Sequence, residues 1–391
     1  MSASSRRGWR MKAELRELET ATAIGHRMPH SGGVRPMELS DIPAVSSLFS
    51  KIFRKRDVAP GADLRQYLEA VFFGSPLYSP EHGSIVYDDG DGTIASAILA
   101  LPMEFSIHGR RTVGKLLCAF MSDGKAGAVG AACLARTMRA ARQDMCFSDN
   151  SSPVSADHCV AGGGVVLPVQ SLEWQRSFRP ITSSAIRASN QVSALGSRAF
   201  LGIFGLCDRV LRRRRPSIRP TGASGCQTKA IGPGEFLGCA GPMMERFSVR
   251  PVWSAAEFDW FVAVAAKNRS LGEVHCRQVT AGGRAIGVFL FLGKASRTAT
   301  VLNVLCDPGR EFEVAAEMFA CLDREGYAQA TGTAQPFLMN AISRQRWLTF
   351  RHRGYFCMVT RHGDLKDAAL RNDLYIGGLA SESWSRLLTD F

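Results

Sequence analysis

Residues 111–150 read RTVGKLLCAFMSDGKAGAVGAACLARTMRAARQDMCFSDN, and the order of residue types within them decides the fold. Leu116 to Met121 form an unbroken apolar run of strand length. Gly124, Gly127 and Gly130 follow within seven residues, and Val129, Cys133, Leu134, Met138 and Ala141 then recur at helical spacing. A strand, a small-residue loop and a helix start gather unpaired N–H groups and the positive helix end at one point. Such a point suits an anion.

Spacing separates the known phosphate binders. The stretch has no GxxxxGK[ST] and no GxGxxG, which excludes a nucleoside-triphosphate P-loop and a dinucleotide fingerprint. It resembles the pyrophosphate loop of the GNAT superfamily of acyl-CoA-dependent N-acyltransferases, whose pattern is Arg or Gln, two residues, Gly, one residue, Gly or Ala. Lys125 takes the basic position, Ala128 the first glycine and Gly130 the last. The resemblance implies that backbone donors from Phe120, Met121 and Ser122 hold the pantetheine arm and polarise the thioester. It likewise implies that Lys125, Ala126, Gly127, Ala128, Val129, Gly130 and Ala131 bind pyrophosphate, and Asn150 is placed with the coenzyme-binding residues.

Working outward, MEFSIHGRRT upstream reads as a hairpin turning at His108 and Gly109, and Asp88 to Gly92 as a second turn between GSIVY and TIASAILAL. VRPMELSDIPAVSSLFSKIF gives a short strand from Val34, a Ser40 or Asp41 cap, and a helix with Ile42, Val45, Leu48, Phe49, Ile52 and Phe53 on its apolar face. A second helix is predicted from Ala62 to Phe73, and residues 1–33 form a polar, basic, flexible leader. Downstream, Met145 to Ser148 reads as a strand and Val154 to Val160 as a short helix before Gly162, Gly163 and Gly164. This order of elements again resembles GNAT.

The helix at 154–160 occupies the place where many GNAT enzymes carry a tyrosine that protonates the leaving thiolate. His158 stands there. An imidazole can relay a proton near neutral pH, and a solvent-facing histidine is the alternative. Glu104 is the other candidate base, with an outward strand carboxylate as its alternative. The stripe Arg136, Arg139 and Arg142 has the spacing of a solvated helix face.

The formal charge of +13 on 391 residues sits in two places. Residues 176–229 hold eleven Lys or Arg against Asp208 alone, and residues 1–35 hold seven against three acids. The rest is close to neutral, so no specific nucleic-acid partner is expected. SALGSRAFLGIFGLCDRVLRRRRP reads as one amphipathic helix in a basic linker, residues 181–234. Its cationic end, Arg212, Arg213, Arg214 and Arg215, suits either a peripheral anionic membrane surface or plain solvent. Eleven cysteines with no CxxC pair, and no apolar signal segment, indicate reduced thiols and a cytoplasmic protein. His158–Cys159 and His275–Cys276 lack ligand spacing, so no metal is expected.

A second copy of the element order begins near Glu235. It comprises a hairpin at Gly282 and Gly283, the strand ATVLNVLCDP and a helix from Glu313 to Arg324. Its junction, Asp307 to Phe312, carries two acids that would repel pyrophosphate, so this copy is read as degenerate. The fold expected is α/β (α+β), with GNAT-like domains at 34–180 and 235–370, each a mixed, mostly antiparallel sheet flanked by helices. Residues 371–391 form a tail whose Trp384, Leu387, Leu388 and Phe391 suggest a packed terminal helix. The layout is similar to tandem acyltransferases of bacteria. It implies transfer from acetyl-CoA or another acyl-CoA to a primary amine of a small molecule or amino sugar by direct attack. A non-catalytic GNAT-like scaffold that binds a partner or an anionic membrane is the rival reading.

Overall fold

The computed structural model describes residues 33–55, 60–90, 92–124, 127–140, 143–189, 198–294 and 297–391. The first half runs β1 (Gly33–Pro36), α1 (Ile42–Arg54), α2 (Ala62–Phe72), β2 (Ile85–Asp88), β3 (Ile94–Ile107), β4 (Arg110–Ser122), α3 (Ala128–Ala140), β5 (Cys146–Ser151), α4 (Pro153–Ala161), β6 (Val165–Val166) and β7 (Leu172–Ser177). Between the halves lie α5 (Pro180–Ser189) and α6 (Arg198–Arg214). The second half runs β8 (Cys226–Ile231), α7 (Pro233–Met244), β9 (Val249–Pro251), α8 (Ala255–Ala265), β10 (Glu273–Ala281), β11 (Arg284–Gly293) and β12 (Thr298–Cys306). It continues through α9 (Glu311–Arg324), β13 (Gln329–Thr333), α10 (Met339–Ser343), β14 (Leu348–His352), β15 (Tyr355–Val359) and α11 (Gly363–Leu370).

Local chemistry accounts for most of these elements. The β3–β4 hairpin turns on His108 and Gly109 at φ 47 and 82, the left-handed pair a two-residue turn needs. In α1 the expected apolar face is buried through Ile42, Val45, Leu48 and Phe49, whereas Phe53 is exposed. Asp41 does not cap α1 with its side chain. It accepts from the Glu38 N–H at 2.8 Å and pairs with Arg35 at 2.7 Å, tying the helix entry to β1.

Two sheets result, ordered β1-β2-β3-β4-β5-β15-β6, with β9 on β3, and β14-β7-β13-β12-β11-β10-β8. Both are mostly antiparallel, with one parallel pair each, β4–β5 and β12–β13. Each half lends the other a strand. β7 pairs with β13 and β14 in the second sheet, and β15 pairs with β5 and β6 in the first. Side-chain fit holds the exchange. Trp174 of β7 meets Phe319 edge-on at 5.4 Å and lies over Gly332, where a Cβ would stand 2.5 Å from the indole. Phe356 of β15 stacks on Phe147 at 6.0 Å. Burial of one such ring contributes about 1.5–3 kcal/mol.

The stretch read as a linker is more structured than its composition suggests. Buried Asp208 on α6 accepts from the N–H groups of Ile181 and Thr182, capping α5 from a neighbouring helix, and β8 adds an edge to the second sheet. The tail docks as expected, yet without a terminal helix. Trp384 and Leu387 are buried, and only a short 3-10 turn forms at Arg386–Leu388. Side-chain anchors supply the order that helical hydrogen bonds would have given: Arg386 on Asp63 at 2.7 Å, and the Tyr67 hydroxyl accepting from the Arg386 N–H at 3.0 Å.

One buried acid in this frame yields a stability prediction. Glu257, near the start of α8, accepts from the Glu104 N–H at 3.5 Å and leaves Oε2 without a partner among the described residues. Burial pushes its pKa up from 4.5 to about 7. A raised carboxyl pKa favours the fold below the unfolded value and loses that advantage as pH climbs to the folded value. Glu257→Gln should therefore gain stability relative to wild type between pH 4.5 and about 7, by on the order of 3 kcal/mol. Urea midpoints of both proteins across that window check it, and a pH-independent difference refutes it.

Candidate active site

Among the described residues the β4–β5 ladder of the first sheet breaks off beside a single inserted residue. In the β3–β4 ladder Leu99 faces Ala119 and Ala100 faces Leu117, which leaves Cys118 as the extra residue of a β-bulge. A bulge bends its strand and sharpens its twist. Accordingly β4 pairs with β5 only at Lys115–Cys146 and Leu116–Phe147. Beyond those pairs β4 runs on to Ser122 and β5 to Ser151, with no ladder between them among the described residues. The result is a V whose one arm leads into the glycine loop.

At the end of that arm α3 starts at Ala128, directly after Gly127. The Gly127 carbonyl accepts from the Ser96 hydroxyl at 2.7 Å and the Ala131 N–H at 2.8 Å, which pins the helix start to β3. A Cβ on Gly127 would stand 2.6 Å from the Ala95 carbonyl, and one on Gly130 2.8 Å from the Tyr87 ring. Close packing of helix on sheet therefore dictates these two glycines. Ala128 is half-buried and Val129 exposed. Lys125 and Ala126 lie outside the described residues, as does Arg142.

Inside the V sits a polar cluster buried by the tail. Asp149 of β5, 1% exposed, accepts from the Glu382 N–H at 3.1 Å, and Arg353 Nη1 lies 2.9 Å from its Oδ2 without hydrogen-bond alignment. The same nitrogen donates to Ser383 Oγ at 3.0 Å. The Cys118 thiol donates to the Leu116 carbonyl at 3.8 Å and feels the charge of the neighbouring Glu382 carboxyl. Burial first, and Asp149 second, push the pKa of Glu382 well above the ordinary value, so the acid form is favoured. Burial likewise raises that of Cys118, with Glu382 and Asp149 adding to it. Glu382 Oε1 and Arg353 Nη2 are buried without partners among the described residues. Buried polar atoms without a partner call for an explanation, and a polar group brought in by a ligand is one.

Compared with solved structures, the chain is similar to a probable N-acyltransferase from Enterococcus faecalis at 12% identity and TM-score 0.52, covering 84% of this chain and 72% of that one. It is also similar to a GCN5-related N-acetyltransferase from Anabaena variabilis at 8% identity and TM-score 0.53, with the same coverage. The fold is that of the GNAT acyltransferases. No family matches the chain by sequence, and no curated protein does.

The GNAT-like first half distributes the sequence-predicted residues unevenly. Phe120, Met121 and Ser122 lie on the β4 arm past the bulge, with Phe120 exposed and Met121 buried. Asn150 lies on the opposite arm at the end of β5, packed against Gly354. His158 is exposed on α4, which follows β5 directly, and its imidazole has no partner among the described residues. Glu104 is elsewhere. It pairs with Val113 in the ladder, on the closed side of the Leu116–Phe147 pair, and its carboxyl is held by Arg111 at 3.2 Å. Arg136 and Arg139 are exposed, as on a solvated face.

The GNAT-like second half repeats the bulge and closes the opening. Leu302 is the unpaired residue of β12, between Val301 facing Phe291 and Asn303 facing Leu290. Here the tail fills the gap: Leu379 N–H donates to Asn303 Oδ1 at 3.0 Å, Asn303 Nδ2 to the Tyr375 hydroxyl at 2.8 Å, and Gln335 Nε2 to the Ile376 carbonyl at 2.7 Å. Gly378, at φ 62, packs against the Leu302 carbonyl. Glu311 and Glu313 occupy the first turn of α9, where the first half has Ala128 to Gly130.

Arg212 does not belong to a free basic end. It pairs with Asp323 at 2.5 Å, while Arg213, Arg214 and Arg215 are exposed and Ile203, Leu206 and Val210 form a stripe more than half exposed. No described helix is long and apolar enough to cross a membrane, and no metal-ligand cluster occurs among the described residues. Sequence reasoning missed Asp149, Arg353 and Glu382. The tail segment SESWS offers no local hint of burial, and Glu382 meets Asp149 across 233 residues.

Proposed function

We propose that the chain is an acyl-CoA-dependent N-acyltransferase whose first half binds the acyl donor and whose second half supplies the proton chemistry through its tail. One observation carries this reading: the bulge at Cys118 opens the β4–β5 pair onto a buried acid, Glu382, that has an orphaned oxygen. The unladdered edge of β4 beyond Leu116 offers backbone groups to a pantetheine amide and a thioester carbonyl. The amide groups at the start of α3, with the positive helix end, face where a pyrophosphate would lie.

Transfer needs no covalent enzyme intermediate. The acceptor amine, having lost its ammonium proton to solvent, forms the C–N bond as the C–S bond breaks. Glu382 in its acid form protonates the departing sulfur and regains a proton from the new amide nitrogen, so atoms and charges balance. Arg353 and Asp149 fix the position of Glu382 through the tail backbone. An acid kept neutral by burial is suited to such donation. His158 and water remain the competing donors to be tested.

Val129→Asp tests donor binding without harming the fold. An aspartate in the first turn of a helix favours that helix, and Val129 is 53% exposed, so little packing is lost. The same charge repels a pyrophosphate. Calorimetric titration of the full chain with acetyl-CoA should show saturable heat, weakened by at least about tenfold in the variant. Absence of heat with the wild-type chain would favour the scaffold reading instead.

A further inference from the structure

A cleft of about 580 Å³ opens against β7, β12, β13 and β14 of the second sheet, and Ser383, Leu388 and Thr389 of the tail complete its lining. Arg353 and Ser383 line this cleft and also belong to the buried cluster around Asp149 and Glu382. The cleft and the β4–β5 opening therefore share a wall. A molecule seated against Arg353 and Ser383 is separated from Asp149 by the Arg353 side chain alone.

The lining has two chemical signatures. Five cationic side chains line it, of which Arg351 is held by Glu173 at 2.5 Å and Arg353 lies beside Asp149 at 2.9 Å. Lys294 and Arg187 are exposed at its edge and make no ion pair among the described residues. Second, Thr300 and Thr331 are ladder partners, and Thr298 and Thr333 continue the same face, because alternate residues of a strand share a side. The intervening Ala299, Val301 and Ala330 belong to the buried core. A row of hydroxyls beside uncompensated positive charge is a poor host for a polyamine or an apolar amine. It matches a compound that carries hydroxyls and an anion.

Resting on the acyl-transfer reading, we infer that this cleft is the acceptor subsite and that its ligand is a polyhydroxylated primary amine bearing a negative charge, such as a phosphorylated or carboxylated amino sugar. The amine end lies toward Arg353 and Ser383, and the anion toward Lys294 and Arg187.

The test uses the full chain and four probes: glucosamine 6-phosphate, glucosamine, spermidine and inorganic phosphate. Calorimetry without an acyl donor reads binding, and thiol release from acetyl-CoA reads transfer. Glucosamine 6-phosphate should bind about tenfold or more tighter than glucosamine, the worth of one charge-assisted hydrogen bond. In the double variant Lys294→Glu, Arg187→Glu that preference should fall to about twofold or less, with circular dichroism confirming the fold. Equal binding of the two sugars overturns the inference, as does inorganic phosphate binding as tightly as the sugar phosphate, which would mark an ion site only. Preferential acylation of spermidine overturns the cleft assignment while leaving acyl transfer standing. Sugar phosphate bound in the cleft with no thiol released upholds the cleft and removes the acyl-transfer reading.

Discussion

Arg353→Leu should destabilise the protein by about 3–5 kcal/mol, because it leaves the Asp149 carboxyl buried with no cation beside it. Asp149 is 1% exposed, and water cannot replace the lost guanidinium without unpacking the tail. The same substitution leaves Ser383 Oγ with the Ser381 hydroxyl as donor and removes the guanidinium that ties it to β5, so the segment carrying Glu382 loosens with it. Adding Asp149→Asn should recover most of the loss. The amide keeps an oxygen for the Glu382 N–H and carries no charge. Urea denaturation of wild type, both single variants and the double variant measures the coupling. A loss below about 1 kcal/mol in Arg353→Leu, or no recovery in the double variant, would mean that the pair does not hold the tail in the V.

The second large effect concerns rate. Glu382→Gln preserves shape and removes the acidic proton, so turnover with acetyl-CoA and an acceptor amine should drop by roughly 10²- to 10⁴-fold. Affinity for acetyl-CoA, read by calorimetry, separates this loss from a binding defect. The sign of the pH dependence is fixed as well. A donor acts in its protonated form, so wild-type activity should decline as pH rises through the raised pKa of Glu382, and the glutamine variant should lack that limb. Should His158→Ala prove the more damaging substitution, the proton comes from the imidazole on α4 and the tail serves structure alone.

Much of the architecture was readable along the chain. Alternation and run length gave β4, β10, β11 and β12, and the two stretches TIASAILAL and MEFSI that the structure joins as β3, and the pairs His108–Gly109 and Gly282–Gly283 gave their turns. Helical spacing gave α1, α2, α3 and α9. Gly127 and Gly130, read there as parts of an anion loop, stand at the start of α3 and answer to Ala95, Ser96 and Tyr87 beneath them. The candidate site was legible only on its β4 side, where the local pattern and the site coincide.

What sequence alone determined is therefore every feature whose cause lies within a few residues: strand and helix periods, two-residue turns, the small residues at the start of α3, and the acids at the start of α9. Tertiary structure decided the features whose cause lies far along the chain. A short strand such as β7 or β15 can join either sheet by its own propensity, and complementarity to Phe319 or Phe147 chooses between them. Likewise Glu382 sits among serines that read as solvated, and becomes a buried acid only because Trp384, Arg386 and Tyr67 anchor the tail across the mouth of the first sheet. Desolvation is a property of the assembled packing, so no window of sequence contains it.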